Sequence, residues 1–187
     1  MQIRERIIDY SENEVLAEKW LRVKGEEKYN QFANILDEKG IDIEWETLND
    51  LYRYDKRLLF KNFKYLSFFE EYIRAIIVNN SQGGLEKYNK LQGDCLLQIM
   101  RQLVKLDRNV LEDYFRDVDD IKRMFVLNDL RNQICHNKII LKLNNPQKIM
   151  EIFYSVLPDD YCKNYKSKIN GSIEDLSIPK EVMIILK

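Results

Sequence analysis

Residues 44–78 read EWETLNDLYRYDKRLLFKNFKYLSFFEEYIRAIIV, and the fold class turns on this stretch. Trp45, Leu48, Tyr52, Leu59, Leu66, Ile73 and Ile76 recur at steps of three, four or seven, the spacing that keeps one face of a helix against a core. Helices of globular proteins usually stop short of about 25 residues, so a bend or break is expected near Tyr54 and Asp55.

Working outward, Glu12 to Val23 and Glu26 to Lys39 read as two shorter helices, the second stopped by Gly40 as a C-cap. Downstream, Gly83-Gly84 is the strongest punctuation in the chain and opens a second helical half. A helix is expected from about Leu85 to Leu106, burying Leu91, Leu96, Leu97, Met100, Leu103 and Val104, with Val110 to Phe115 continuing in the same style. Asp119 or Asp120 is placed to cap a helix running to about Leu141, and Asn144-Asn145-Pro146 must end it. A further helix is expected over Pro146 to Leu157, with proline in its first turn. The apolar tail Val182-Met183-Ile184-Ile185-Leu186 is too short for periodicity to assign.

Composition agrees with this pattern. Of 187 residues, 45% are hydrophobic and 33% charged, with only 6 Gly and 3 Pro, the profile of a folded all-α chain with few tight turns. No repeat, low-complexity tract or linker marks a boundary, so one helical-bundle domain is expected over residues 1–187. It is read as an N-terminal helical extension (1–43), a core bundle (44–157) and a C-terminal extension (158–187).

No stretch approaches the roughly 18 apolar residues of a membrane span, and the start, Met1-Gln2-Ile3-Arg4-Glu5-Arg6, lacks the apolar run of a secretory signal. Cys95, Cys135 and Cys162 form no CxxC pair, and their odd number argues against a paired disulfide framework. A cytoplasmic, reducing location is expected. Net charge is −1, which excludes a global basic field. Residues 1–50 carry 7 Lys and Arg against 13 Asp and Glu, and the remainder carries an excess of +5, enough for a local RNA-binding face.

Chemistry concentrates in residues 127–141, LNDLRNQICHNKIIL, which hold His136, the only histidine of the chain. At about 100° per residue, Leu127, Leu130, Ile134 and Leu141 share one arc and form the core stripe. Asn132 and His136, four apart, lie together on the roughly opposite face, with Phe125 and Ile139. A helix with two apolar faces needs two partners, its own core and a second protomer. Arg131 lies on the flank, roughly 140° round from His136, so two chains packed through this helix would bring both copies into one cleft. Attack of a 2′-hydroxyl on its neighbouring phosphate needs a base, an acid and a cation. Imidazole and guanidinium supply these, and a symmetric dimer doubles them. Asn137 and Lys138, with Lys142 beyond, are placed to touch phosphates. The plain alternative pairs Arg131 with Asp129 or another acid and leaves His136 a surface residue.

The segment Leu130-Arg131-Asn132-Gln133-Ile134-Cys135-His136-Asn137 resembles the R-x(4–6)-H signature of HEPN domains, in which a polar residue, often Asn, follows the Arg. The runs Tyr52-Arg53-Tyr54-Asp55-Lys56-Arg57-Leu58-Leu59 and Phe69-Glu70-Glu71-Tyr72-Ile73-Arg74 resemble the abortive-infection (Abi-like) branch of that superfamily. Together these cover roughly residues 50–140. The resemblance implies a helical bundle whose active relatives are metal-independent ribonucleases with the motif at a homodimer interface, serving in phage defence or toxin–antitoxin systems. It implies catalytic roles for Arg131 and His136, an orienting role for Asn132, and, in a toxin setting, a nucleotidyltransferase-type antitoxin as partner. Where Abi-like relatives often carry a second histidine, this chain has Asn137.

One His and three scattered Cys offer no metal-ligand cluster, and Gly83-Gly84 lacks the Lys-Ser/Thr of a phosphate loop, so no cofactor is expected. The rival function is a non-catalytic HEPN-like module that docks a partner protein or a nucleotide.

Overall fold

The computed structural model describes residues 2–187, among which every regular element is helical, as the periodicity requires. The chain divides into two units: residues up to Leu58 with Gly171–Ile184, and Leu59–Asn170 with Ile185–Lys187.

The first unit begins with α1 (Ile3–Arg6), α2 (Tyr10–Lys24) and α3 (Glu26–Asp37). Gly25, at φ +91°, makes the turn between α2 and α3. Gly40 takes φ +67° and lets the Ile41 N–H donate back to the Leu36 carbonyl at 3.0 Å, the capping role its position predicts. Helix α2 buries Ala17 and Leu21, and its last residue is pinned by aromatic rings: Lys24 Nζ lies 4.2 Å from the centroids of Trp20 and of Tyr52.

Helix α4 (Trp45–Asn79) is unbroken over 35 residues, so the break expected at Tyr54-Asp55 does not occur. No Gly or Pro lies within it, and the apolar stripe is buried along its length, with Tyr52 half-buried. Tyr54 and Asp55 are themselves buried, and the Tyr54 hydroxyl accepts the Ile184 N–H at 2.8 Å. Tertiary packing at the suspected weak point removes the reason to bend.

In the second unit α4 is followed by α5 (Gly84–Gln92), α6 (Leu96–Leu103), α7 (Arg108–Glu112), α8 (Val118–Arg123), α9 (Leu127–Cys135), α10 (Pro146–Val156) and α11 (Asp159–Asn170). The single helix expected over Leu85–Leu106 is two. The chain turns at Gly93-Asp94, and the Cys95 N–H that opens α6 is satisfied by the Gln98 side chain at 2.9 Å. Helix α8 is capped by Asp117, whose carboxylate accepts the Asp119 N–H at 2.8 Å, and not by Asp119 or Asp120. Helix α10 starts as expected, at Pro146, with the Asn145 side chain accepting the Lys148 N–H at 3.1 Å. Its core is aromatic. Phe153 meets Phe69 and Tyr165 edge-on, with centroids 5.6 and 5.1 Å apart, and the buried Tyr165 hydroxyl donates to Asn62 at 2.7 Å.

The C-terminal apolar tail is neither helix nor strand after a short 3-10 turn at Lys180–Val182. In the second unit, side-chain amides stand in for a neighbouring strand. Asn170 donates to the Leu186 carbonyl and accepts its N–H, both at 2.9 Å. Gln147 does the same for Ile185 at 2.8 and 3.0 Å. Among the described residues, no helix is long and apolar enough to cross a membrane.

Candidate active site

The helix expected from Asp119 or Asp120 to Leu141 is interrupted twice. Helix α8 ends at Arg123, a 3-10 turn covers Met124–Val126, and α9 runs only from Leu127 to Cys135. The stop is made by Asn137, which adopts φ +50°. This left-handed residue lets the Asn137 N–H reach the Ile134 carbonyl at 3.1 Å and the Lys138 N–H reach the Gln133 carbonyl at 2.8 Å, the paired bonds of a Schellman ending. Asn is the non-glycine residue best suited to that conformation, so a signal at Asn137 was present in the sequence.

The early stop changes the surface. Leu127, Leu130 and Ile134 are buried as expected, and α9 packs against α6 and α10. Ile139 was expected on the outer face beside His136. The turn at Asn137 carries it inward, and it is buried in the protein's own interior next to Ile140. Leu141 and Phe125 are half-buried. The second apolar face is therefore absent, and what faces solvent is a polar cluster: Asn132, Cys135, His136, Asn137 and Lys138.

Asn132 and His136 stand one turn apart, tied by the His136 N–H donating to the Asn132 carbonyl at 3.1 Å. His136 caps the helix C-terminally at φ −97°, ψ 10°, with an exposed imidazole. Arg131 goes elsewhere. Its Nε lies 3.8 Å from Oε1 of Glu70 on α4, an ion pair without a hydrogen bond, and this Nε is sealed from solvent with no acceptor. Arg131 pairs with Glu70 and not with its neighbour Asp129. The other Glu70 oxygen takes Nη2 of the buried Arg74 at 3.2 Å, and Arg74 also reaches Glu71 at 2.8 Å, the pair its i, i+3 spacing suggests, and the Leu91 carbonyl at 3.2 Å.

Two features escaped the sequence reading. Glu70 gave no sign of holding the motif arginine, because nothing in linear spacing links positions 70 and 131. Phe60 and Phe63 are exposed on α4 beside Lys64, and here a signal existed, since neither falls on the buried stripe. Phe63 and Glu70 are seven residues apart and lie on the same side of α4, two turns from each other.

Among the described residues, no group of three or more His, Cys, Asp or Glu is placed to hold a metal ion. No family model, curated protein or solved structure matches the chain.

Proposed function

We propose that this chain is a HEPN-type, metal-independent endoribonuclease that works as a homodimer in phage defence or as a toxin. The observation that carries the reading is the solvent-facing His136, the sole imidazole of the chain, with Asn132 one turn before it and Arg131 beside that. Imidazole exchanges protons near neutral pH, so one copy takes the 2′-hydroxyl proton as the oxygen attacks phosphorus. The 5′-oxygen leaves with a proton from the second copy's imidazole, and the product is a 2′,3′-cyclic phosphate. Arg131 neutralises the phosphorane charge once it exchanges Glu70 for phosphate. Exposed Phe60 and Phe63 with Lys64 support a single-stranded substrate, since aromatic faces stack bases and lysine attracts the backbone. A toxin setting would add a nucleotidyltransferase-type antitoxin as partner.

The test is incubation of purified protein with single-stranded RNA in EDTA, followed by analysis of the product ends. Wild type is expected to leave cyclic phosphates, and His136→Ala is expected to lose about two orders of magnitude or more in rate. Equal behaviour of the two proteins would end the catalytic reading. The rival, a non-catalytic binding module, is favoured by one observation, the engagement of Arg131 with Glu70 inside the same chain. Its mark is co-purification with a partner protein, or binding of a nucleotide, with no RNA cleavage.

A further inference from the structure

Helix α2 has two faces, and only one is covered. Ala17 and Leu21 point into the first unit. On the roughly opposite side, Glu12, Val15, Leu16, Lys19 and Val23 fall within an arc of about 100°. Val15 is 88% exposed, Val23 64% and Leu16 46%, and Ile8, in the turn just before the helix, is 64% exposed. Scattered exposed apolar residues are ordinary. Three along one edge of a single helix, with Ile8 in the turn at its N-terminal end, are not, and such a stripe on a folded surface marks a contact with another molecule.

The order of residues identifies that molecule. A two-fold axis crossing α2 between Val15 and Leu16, with the partner helix antiparallel, sets Val15 against Leu16 and Glu12 against Lys19, and brings Val23 toward the turn that carries Ile8 at the start of the partner helix. Each apolar residue meets an apolar residue, and each charge meets its opposite, twice over by symmetry. A surface complementary to itself in both shape class and charge is what an isologous contact requires. Both charged positions are exposed, and Lys19 Nζ lies 5.2 Å from the Trp20 ring of the same helix.

We infer that α2 is a self-association surface, and that two copies of this chain pair through it with the helices antiparallel and crossing at Val15-Leu16. The expected contact is a single helix pair, small beside a standard interface, so the dimer dissociates in the micromolar range. The α2 contact is separate from the pairing around His136 that the ribonuclease reading needs, and Val15→Glu, which alters no motif residue, tells the two apart. Helix α2 carries none of the motif residues, and its pairing is measured without RNA.

Sedimentation velocity at roughly 50 µM is expected to give a dimer for the wild type. Val15→Glu changes an exposed position, so helix content by circular dichroism stays unchanged while the protein sediments as a monomer. Glu12→Lys and Lys19→Glu, made singly, oppose like charges across the contact and weaken dimerisation by about tenfold each. The double variant Glu12→Lys, Lys19→Glu restores the pairing and recovers wild-type association. A wild type that is monomeric at that concentration, a Val15→Glu protein that stays dimeric, or a double variant no tighter than the singles would each overturn the proposal.

Discussion

The carboxylate of Glu70 is shared by two guanidiniums, with Oε1 3.8 Å from Nε of Arg131 and Oε2 3.2 Å from Nη2 of Arg74. Arg74 keeps Glu71 and the Leu91 carbonyl whatever happens to Glu70, whereas Glu70 is the ion-pair partner the structure gives Arg131. Glu70→Gln therefore leaves Arg74 anchored and frees Arg131. It also removes a negative charge that repels phosphate. Affinity for a labelled single-stranded RNA, read by fluorescence anisotropy at fixed low salt, is expected to rise about three- to tenfold. Arg131→Ala should lose more than that amount. Identical binding by Glu70→Gln and wild type would show that Arg131 is not the phosphate-binding group.

Asn137 sets where α9 ends, and thereby keeps His136 outside and Ile139 inside. A β-branched residue pays heavily for a left-handed backbone, so Asn137→Val is expected to lower stability by about 1–2 kcal/mol in urea denaturation. Asn137→Gly meets no such penalty and should retain stability. If the valine variant is as stable as the wild type, the turn does not depend on the left-handed residue.

The all-α class was legible because burial of α4 follows the stripe Trp45, Leu48, Leu59, Leu66, Ile73 and Ile76, a pattern that survives any error in helix ends. Boundaries were less legible where a short motif overrode periodicity. The Asn137 turn cut α9 short, and the Gly93-Asp94 turn divided α5 from α6. Periodicity averages over several turns, while a helix end is decided by one backbone angle. At the candidate site, the outward placement of Asn132 and His136 could be read from their i, i+4 spacing. The outer apolar face could not, since it assumed that Ile139 continued a helix that had already ended. The Arg131–Glu70 pair joins residues from α9 and α4, and only tertiary packing brings those together.

Cys95 and Cys135 are exposed and Cys162 is buried, all three as free thiols. Burial pushes the Cys162 thiol up, only partly offset by the Arg116 guanidinium. Cys162 lies in the first turn of α11 and packs on the C-terminal end of α10, its Sγ 3.3 Å from the Tyr154 carbonyl and 3.1 Å from the Leu157 carbonyl. Arg116 donates to its sulfur at 2.8 Å, to Tyr154 at 2.6 Å and to Ser155 at 3.0 Å. With a disulfide-exchange reagent at neutral pH, Cys95 and Cys135 should react quickly and Cys162 only on unfolding. Arg116→Ala uncovers these carbonyls and is expected to speed the third thiol about tenfold or more while lowering stability by about 1–3 kcal/mol. A fast third thiol in the wild type would contradict the packing at this helix end.

Glu18 gives the first unit an acid-sensitive tie. Hydrogen bonds from Arg4 first, and from the Tyr10 hydroxyl second, hold its carboxyl at about 2, below the ordinary value of 4.5. A depressed carboxyl contributes stability that is present in full above its unfolded value. That contribution fades as pH falls from about 4.5 and is gone once pH drops through about 2. Arg4→Gln removes the larger cause, so the Glu18 carboxyl signal in carbon-detected NMR should titrate well above the wild-type value. The same substitution should destabilise the protein at neutral pH and cost progressively less toward pH 2, where Glu18 is protonated in both proteins. Because the group is half exposed, added salt should narrow the difference as well. A wild-type Glu18 that titrates at the ordinary carboxylate value would mean that Arg4 spends its time with Glu26, 2.7 Å away on α3, and that the α1–α2 tie contributes nothing.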